Sequence, residues 1–273
     1  MDLRKQLRAR YRRQIAKIEP ISQKELAASA IVFSPHPDDE TLGCGGTIIR
    51  KLEAGAKLKL VFMSDGSRSH HRFIPEAELI KLRQQEALAA AEILGLTSEE
   101  VRFLNFPDEQ LQYKAEKAIT LVGELLQQFH PQQVFIPYLR ETHPDHLATH
   151  QIVVAALENY SEEVAIYEYP VWYWHHFPWT HPWGDRALKL AYLKASIKAQ
   201  GGWQVMREFN CLVDIESVQA SKRLALAQHQ TQTKPLVDTP DWGLLQEVAD
   251  GEWLECFFQN QEIFRRTHRN NYD

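Results

Sequence analysis

Three cysteines, Cys44, Cys211 and Cys256, are all that the 273 residues contain, and they lie far apart with no C-x-x-C pair. That spacing excludes a disulfide framework and a thiolate zinc site, and it suits a reducing compartment. No apolar run approaches the roughly 20 residues that span a bilayer, so no transmembrane segment is expected. The N-terminus also lacks the apolar core of a signal peptide, which makes the cytoplasm the expected location. Positive charge is not in surplus: 31 Lys and Arg against 36 Asp and Glu leave a net charge of −5. A nucleic acid would call for a basic face, so a small or neutral partner fits better. Internal repeats and low-complexity tracts are missing too.

What is present is enough for a large core, with 44% hydrophobic and 25% charged residues. The first stretch, MDLRKQLRARYRRQIAKIEP, repeats Leu3, Leu7, Tyr11, Ile15 and Ile18 at helical spacing against a strongly basic opposite face. Such a helix packs on its own domain or a neighbouring subunit, or makes peripheral contact with an anionic membrane. Beyond it, strand-like and helical runs alternate. ASAIVFSP reads as a strand, TLGCGGTIIRKLEAG as a helix and KLKLVFMSDG as a strand. The run PEAELIKLRQQEALAAAEILGL is a strong helix, VRFLNFPD a strand, KAEKAITLVGELLQQFHP a helix and QQVFIPY a fourth strand. This alternation predicts an α/β fold, a Rossmann-like three-layer α/β/α sandwich with a mostly parallel sheet. Past residue 160 the pattern loosens into an aromatic stretch, a strand-like FNCLVDI, a helical SVQASKRLALAQHQ and a polar end.

In a parallel sheet the loops after the strand C-termini share one rim. The first such loop begins HPDDE, with His36, Asp38 and Asp39, and the fourth contains THPDHLATH, with His143, Asp145, His146 and His150. Either segment alone reads as a solvated turn or a helix N-cap whose aspartates accept backbone N–H bonds. Together on one rim, two imidazoles and a carboxylate could close around a metal and leave a position for water. Spacing does not choose between His146 and His150, which lie at i, i+4 on one helix face.

SPHPDDETLGCGG and THPDH, with RQQEALAAAEILGL between them and DIESVQASKRLALAQHQTQ after them, resemble the PIG-L family, also called LmbE-like proteins. The resemblance spans roughly Ala27 to Gln232. It divides the chain into the basic amphipathic helix at 1–25 and a deacetylase domain at 26–273. It also implies a metal-dependent hydrolase that removes the acetyl group from an N-acetylated amino sugar or related glycoconjugate. By the same resemblance His36, Asp39 and His146 are the ligands of Zn²⁺, with Fe²⁺ an alternative that the donor types do not exclude. Asp38 matches the general base, His143 the residue facing the reacting carbonyl, in protonated form, and Asp145 the residue that orients His143. Arg83 matches a sugar-binding arginine and Asp108 an acidic helper at the substrate. His229 falls in a helix that carries a histidine in the family.

Several features remain open beside this reading. Arg83 and Glu86 at i, i+3 read alone as a surface ion pair. Trp172, Trp174, Trp179 and Trp183 could stack on sugar rings or form a homo-oligomer interface. His175 and His176, with His70 and His71, are a remote candidate for a second metal. Where some family members have a tyrosine two residues before the motif histidine, this chain has Glu141, which leaves the acceptor open. The glycine turn fails as a dinucleotide fingerprint: after Gly43 and Gly45 the next required glycine is Ile48, although Asp65 lies where a ribose-binding acid would sit. These glycines instead suit close helix-to-sheet packing, and Cys44 a small buried position. The functional alternatives are a metal-holding sugar-binding protein without turnover and a metal-dependent phosphoesterase.

Overall fold

The computed structural model describes residues 3–268. Its sheet has seven strands: β1 (Ala30–Ser34), β2 (Leu58–Ser64), β3 (Val101–Phe106), β4 (Gln133–Pro137), β5 (Ala165–Tyr169), β6 (Cys211–Asp214) and β7 (Gln261–His268). Their spatial order is β3-β2-β1-β4-β5-β7-β6. The pairs from β3 through β5 are parallel, and β7 runs antiparallel to both of its neighbours. Strands covered on both faces should be apolar throughout, and AIVFS in β1 and QVFIP in β4 are buried at every position.

The helices are α1 (Leu3–Ile15), α2 (Gln23–Ala27), α3 (Asp39–Glu53), α4 (Glu76–Leu94), α5 (Ala115–Phe129), α6 (Pro144–Glu158), α7 (Arg186–Lys198), α8 (Trp203–Glu208) and α9 (Gln219–Leu226), with shorter turns between them. Alternate strand residues feed two cores. Val32, Leu60, Phe62 and Phe135 pack with Leu42, Ile48, Ala87 and Leu94 on one face. Ile31, Phe33, Val61, Val134 and Ile136 pack with Val122, Leu126, Ile152 and Val153 on the other. This is the expected three-layer sandwich. A Cβ on Gly43 would meet the Tyr169 ring at 2.2 Å and one on Gly46 would meet Ile215 at 2.4 Å, so these glycines let α3 press against the sheet. Cys44 is a free, buried thiol between them.

Chain order reverses between β1 and β4: the crossovers from β1 lead outward to β2 and β3, and β4 starts the opposite side. A crevice opens at such a point outside the strand ends. The loops after β1 and β4 are the ones that carry HPDDE and THPDH.

Two regions differ from expectation. The aromatic stretch begins as strand β5, and the polar end contains β7, whose arginines Arg265 and Arg266 pair with Glu168 and Glu25. Helix α1 lies on the body of the protein. Arg8 donates to the Trp179 carbonyl at 2.9 Å, the Tyr11 hydroxyl to the Gly201 carbonyl at 3.3 Å, and Ile15 joins the core.

Candidate active site

The loop after β1 enters α3 through Asp38, whose φ of 132° is strained for a residue with a Cβ. Its side chain does not cap the helix, contrary to the ordinary reading of an aspartate there. Instead Glu40 turns back and accepts the Asp38 N–H at 2.9 Å. Asp38 is thereby free to line a cavity of 310 Å³ with His36, Asp39, Arg83, Asp108 and His143.

Asp39, in the first turn of α3, is the meeting point of the two motifs. Its Oδ2 lies 3.1 Å from His36 Nδ1 and 3.1 Å from His146 Nε2. One nitrogen each of His36, His143 and His146 lies within 4.8 Å of the others. His146 is fully buried, and although its nitrogens approach carboxylates, neither has a hydrogen-bond partner of acceptable geometry. A buried imidazole without such partners is costly in a protein interior unless something else engages it. His150 faces away, with Nε2 3.7 Å from Glu168 Oε1, so the structure favours His146 at the cluster.

The surroundings hold these groups in orientation. His36 Nε2 is 3.1 Å from Asp108 Oδ1 and 3.3 Å from Asp145 Oδ2. Asp108 also accepts the Arg68 N–H at 3.0 Å, and Asp145 accepts those of Glu109 at 2.8 Å and Leu111 at 3.3 Å. The carboxylate of Asp145 therefore serves His36. Only its backbone N–H reaches His143, donating to Nδ1 at 3.3 Å at the N-cap of α6. That bond leaves the His143 hydrogen on Nε2.

Glu141, notable in the sequence only as a departure, is buried behind His146. Its Oε2 is 3.3 Å from His146 Nδ1, and its oxygens accept the N–H groups of Val171, Trp172 and Tyr173 at 2.7, 2.7 and 3.2 Å. A carboxylate behind a ligating histidine fixes its ring and raises its basicity. Sequence reasoning missed this contact, although an acid five residues before His146 was the available signal.

Arg83 is not in a surface pair. Only 2% exposed, it donates to the Gly66 carbonyl at 3.2 Å, to the Pro37 carbonyl and to Asp38 Oδ2 at 3.1 Å. Glu86 is also buried and accepts the N–H and hydroxyl of Thr231 at 2.8 and 2.7 Å. His229 Nε2 sits 2.8 Å from Glu40 Oε1, beneath Asp38. The aromatic stretch divides: Trp172 lines the cavity and stacks on Trp253 at 4.6 Å, while Trp174 and Trp179 belong to the core. The four histidines weighed for a second metal do not converge. His70 stacks on Trp242 at 4.2 Å, His71 contacts the Arg68 carbonyl, His175 lies 5.7 Å from the Tyr192 ring and His176 contacts the Phe177 carbonyl.

Electrostatics separate the two adjacent aspartates. Burial raises Asp38, Arg83 opposes that and the neighbouring Asp39 adds to it, leaving a pKa of about 7. Burial acts on Asp39 in the same sense, but His146 and His36 hold it well below the usual carboxylate range. Burial lowers His146, yet Asp39 and Glu141 raise it to about 9. His143 is pushed down to about 4 by burial, His36 and His146. This disfavours the protonated form expected for His143.

Comparison with known proteins shows what the chain is similar to. The family model described as PIG-L, GlcNAc-PI de-N-acetylase, matches residues 31–157. Diacetylchitobiose deacetylase of Thermococcus kodakarensis is 30% identical over 142 residues, 48% of this chain and 51% of that protein. A probable N-acetyl-alpha-D-glucosaminyl L-malate deacetylase 2 of Bacillus cereus is 24% identical over 232 residues, 82% of this chain and 93% of that protein. The 4-oxalmesaconate hydratase of Pseudomonas putida is 29% identical over 144 residues, 48% of this chain and 54% of that protein. The chain thus spans about half the length of the Thermococcus and Pseudomonas relatives it matches. Among solved structures, N,N'-diacetylchitobiose deacetylase from Pyrococcus horikoshii superposes with a TM-score of 0.66 at 21% identity, covering 100% of this chain and 96% of that one. At that identity the likeness is one of fold.

Proposed function

We propose that this chain, whose residues 31–157 match the PIG-L family model, is a metal-dependent N-deacetylase acting on an N-acetylated amino sugar or related glycoconjugate. The observation that carries this reading is the convergence of His36, Asp39 and His146, with the next carboxylate, Asp38, turned into the same cavity by a strained backbone.

The residues fit a divalent cation. Two imidazoles and a carboxylate meet, His146 is buried without a hydrogen-bond partner, and each histidine has a carboxylate behind its other nitrogen. His36, Asp39 and His146 would hold Zn²⁺ or Fe²⁺, whose Lewis acidity polarises an amide carbonyl and eases the ionisation of water. The protein's own groups divide the remaining work. Asp38, near pKa 7, accepts the proton of the attacking water and passes it to the departing amine nitrogen. Arg83 fixes that carboxylate and balances its charge. His143 directs its Nε2–H at the oxyanion as it forms. Arg83 and Asp108 also line the cavity within reach of sugar hydroxyls, and Trp172 offers a face for a sugar ring.

The alternatives fit less well. A sugar-binding protein without turnover has no use for a strained carboxylate beside the ligand cluster. A phosphoester's negative charge would meet a mixed wall, Asp38, Asp108 and Glu109 beside Arg68 and Arg83, which suits a neutral N-acetyl sugar better. Because one relative is named a hydratase, an assay and not the fold decides which bond is attacked. Acetate and free amine should appear when the Zn²⁺- or Fe²⁺-loaded protein is given a panel of N-acetylated sugars, and chelation should stop both. A panel without any acetate release would remove the proposal.

A further inference from the structure

We propose that α1, α7 and Trp203 form one docking surface for an anionic lipid bilayer. The observation is independent of the active site. Neither Leu3–Ile15 nor Arg186–Lys198 contains an Asp or Glu, although the whole chain carries net charge −5. Most of the exposed large apolar side chains among the described residues also lie here: Leu3, Leu188, Leu190, Leu193, Ile197 and Trp203. Ile197 is 70% exposed, Leu193 54% and Trp203 51%.

The two helices belong to one face. Tyr192, midway along α7, donates to the Thr180 carbonyl at 2.8 Å, and the neighbouring Trp179 carbonyl accepts from Arg8 of α1 at 2.9 Å. Tyr11, further along α1, bonds the Gly201 carbonyl just past α7 and lies 6.4 Å from the Trp203 ring. Both helices therefore border the Trp179–Thr180 and Gly201–Trp203 segments. On α7, Tyr192 and the following Ala199 are buried, while Lys189, Leu193 and Ile197 form one exposed row at i, i+4 spacing and Arg186, Leu190, Lys194 and Lys198 the next. Cations and apolar groups are interleaved on the outward side. Lysines of this kind extend their stems along an apolar layer with the ammonium in the headgroups, and an exposed tryptophan suits that same boundary. Of the acids near the face, Asp185 accepts the Leu188 N–H, Glu252 pairs with Arg4 and Arg8, Asp250 lies 3.2 Å from His181, and Glu255 lies near Arg12.

A second copy of the chain is a poorer occupant. A two-fold contact through this patch would set the same cations against one another, whereas anionic headgroups complement them.

Sedimentation of the intact protein with vesicles tests the proposal. It should bind phosphatidylcholine vesicles doped with phosphatidylglycerol at low salt, lose that binding at high salt, and ignore phosphatidylcholine alone. Replacing Lys189, Lys194 and Lys198 together with Gln should weaken binding at least about a hundredfold, at roughly fivefold for each cation removed. Leu193→Ser with Ile197→Ser should weaken it as well, with circular dichroism and active-site metal content unchanged. No binding to the anionic vesicles, equal binding to both kinds, or binding indifferent to these substitutions would overturn the proposal. So would self-association that buries this face and is abolished by Ile197→Ser.

Discussion

Two buried charge clusters lie along α3, and they are built to opposite rules. Near Gly46 and Thr47, Lys222 donates to the carbonyls of Leu42 and Phe257, each at 2.8 Å, and to Glu262 at 2.7 Å. Glu262 in turn accepts the N–H groups of Gly46 at 2.8 Å and Thr47 at 2.7 Å. An ammonium has three hydrogens, and all three are used. At the first turn of the same helix, Asp38, Asp39, His36 and His146 crowd together, yet both His146 nitrogens and Arg83 Nε lack hydrogen-bond partners. A saturated buried pair needs nothing further and is structural, whereas an unsaturated one has capacity left for a ligand. The two clusters differ in their charged groups: every hydrogen of the Lys222 ammonium is used, and neither His146 nitrogen has a hydrogen-bond partner.

The largest expected effect is His146→Ala. It should strip the metal and bring acetate release below about 10⁻⁴ of the parent rate, because Lewis acid and site geometry go together; full metal content by elemental analysis would break the contrast. Next come the two buried cations. Lys222→Met and Arg83→Ala should each lower stability by about 3–5 kcal/mol, since each leaves a carboxylate buried without its partner. They should then differ in activity per folded molecule, near normal for Lys222→Met and severely reduced for Arg83→Ala. Denaturation curves read beside acetate release would show this, and equal activities would erase the distinction. Glu141→Gln should have the smallest effect, about 10- to 100-fold in metal affinity with the fold retained, as expected for a group acting through a ligand.

Much of this was legible in the sequence. Alternating runs gave the parallel sheet, and two His-Asp segments after its strands gave the rim cluster, because both signals are local. His146 and His150 were inseparable by helical spacing, and only the position of Asp39 distinguishes them. By spacing alone Arg83 and Glu86 read as a surface ion pair, because sequence does not reveal that α4 turns Arg83 inward beneath Pro37 and Asp38. Strand β7 was hidden because its apolar centre is short and its arginines are neutralised only by distant Glu25 and Glu168. The paired task of Asp145 also went astray, since its side chain serves His36 across the rim while its backbone serves His143.

The central claim is that neighbouring aspartates have different duties, and equilibrium metal binding measured alongside acetate release on Asp38→Asn and Asp39→Asn tests it most directly. Asp38→Asn should keep its metal and lose about two to four orders of magnitude in rate, the usual worth of a general base. Asp39→Asn should lose the metal and, with it, the activity. A metal-free Asp38→Asn protein, a fully active one, or an Asp39→Asn protein that still holds metal at parental affinity would contradict the account.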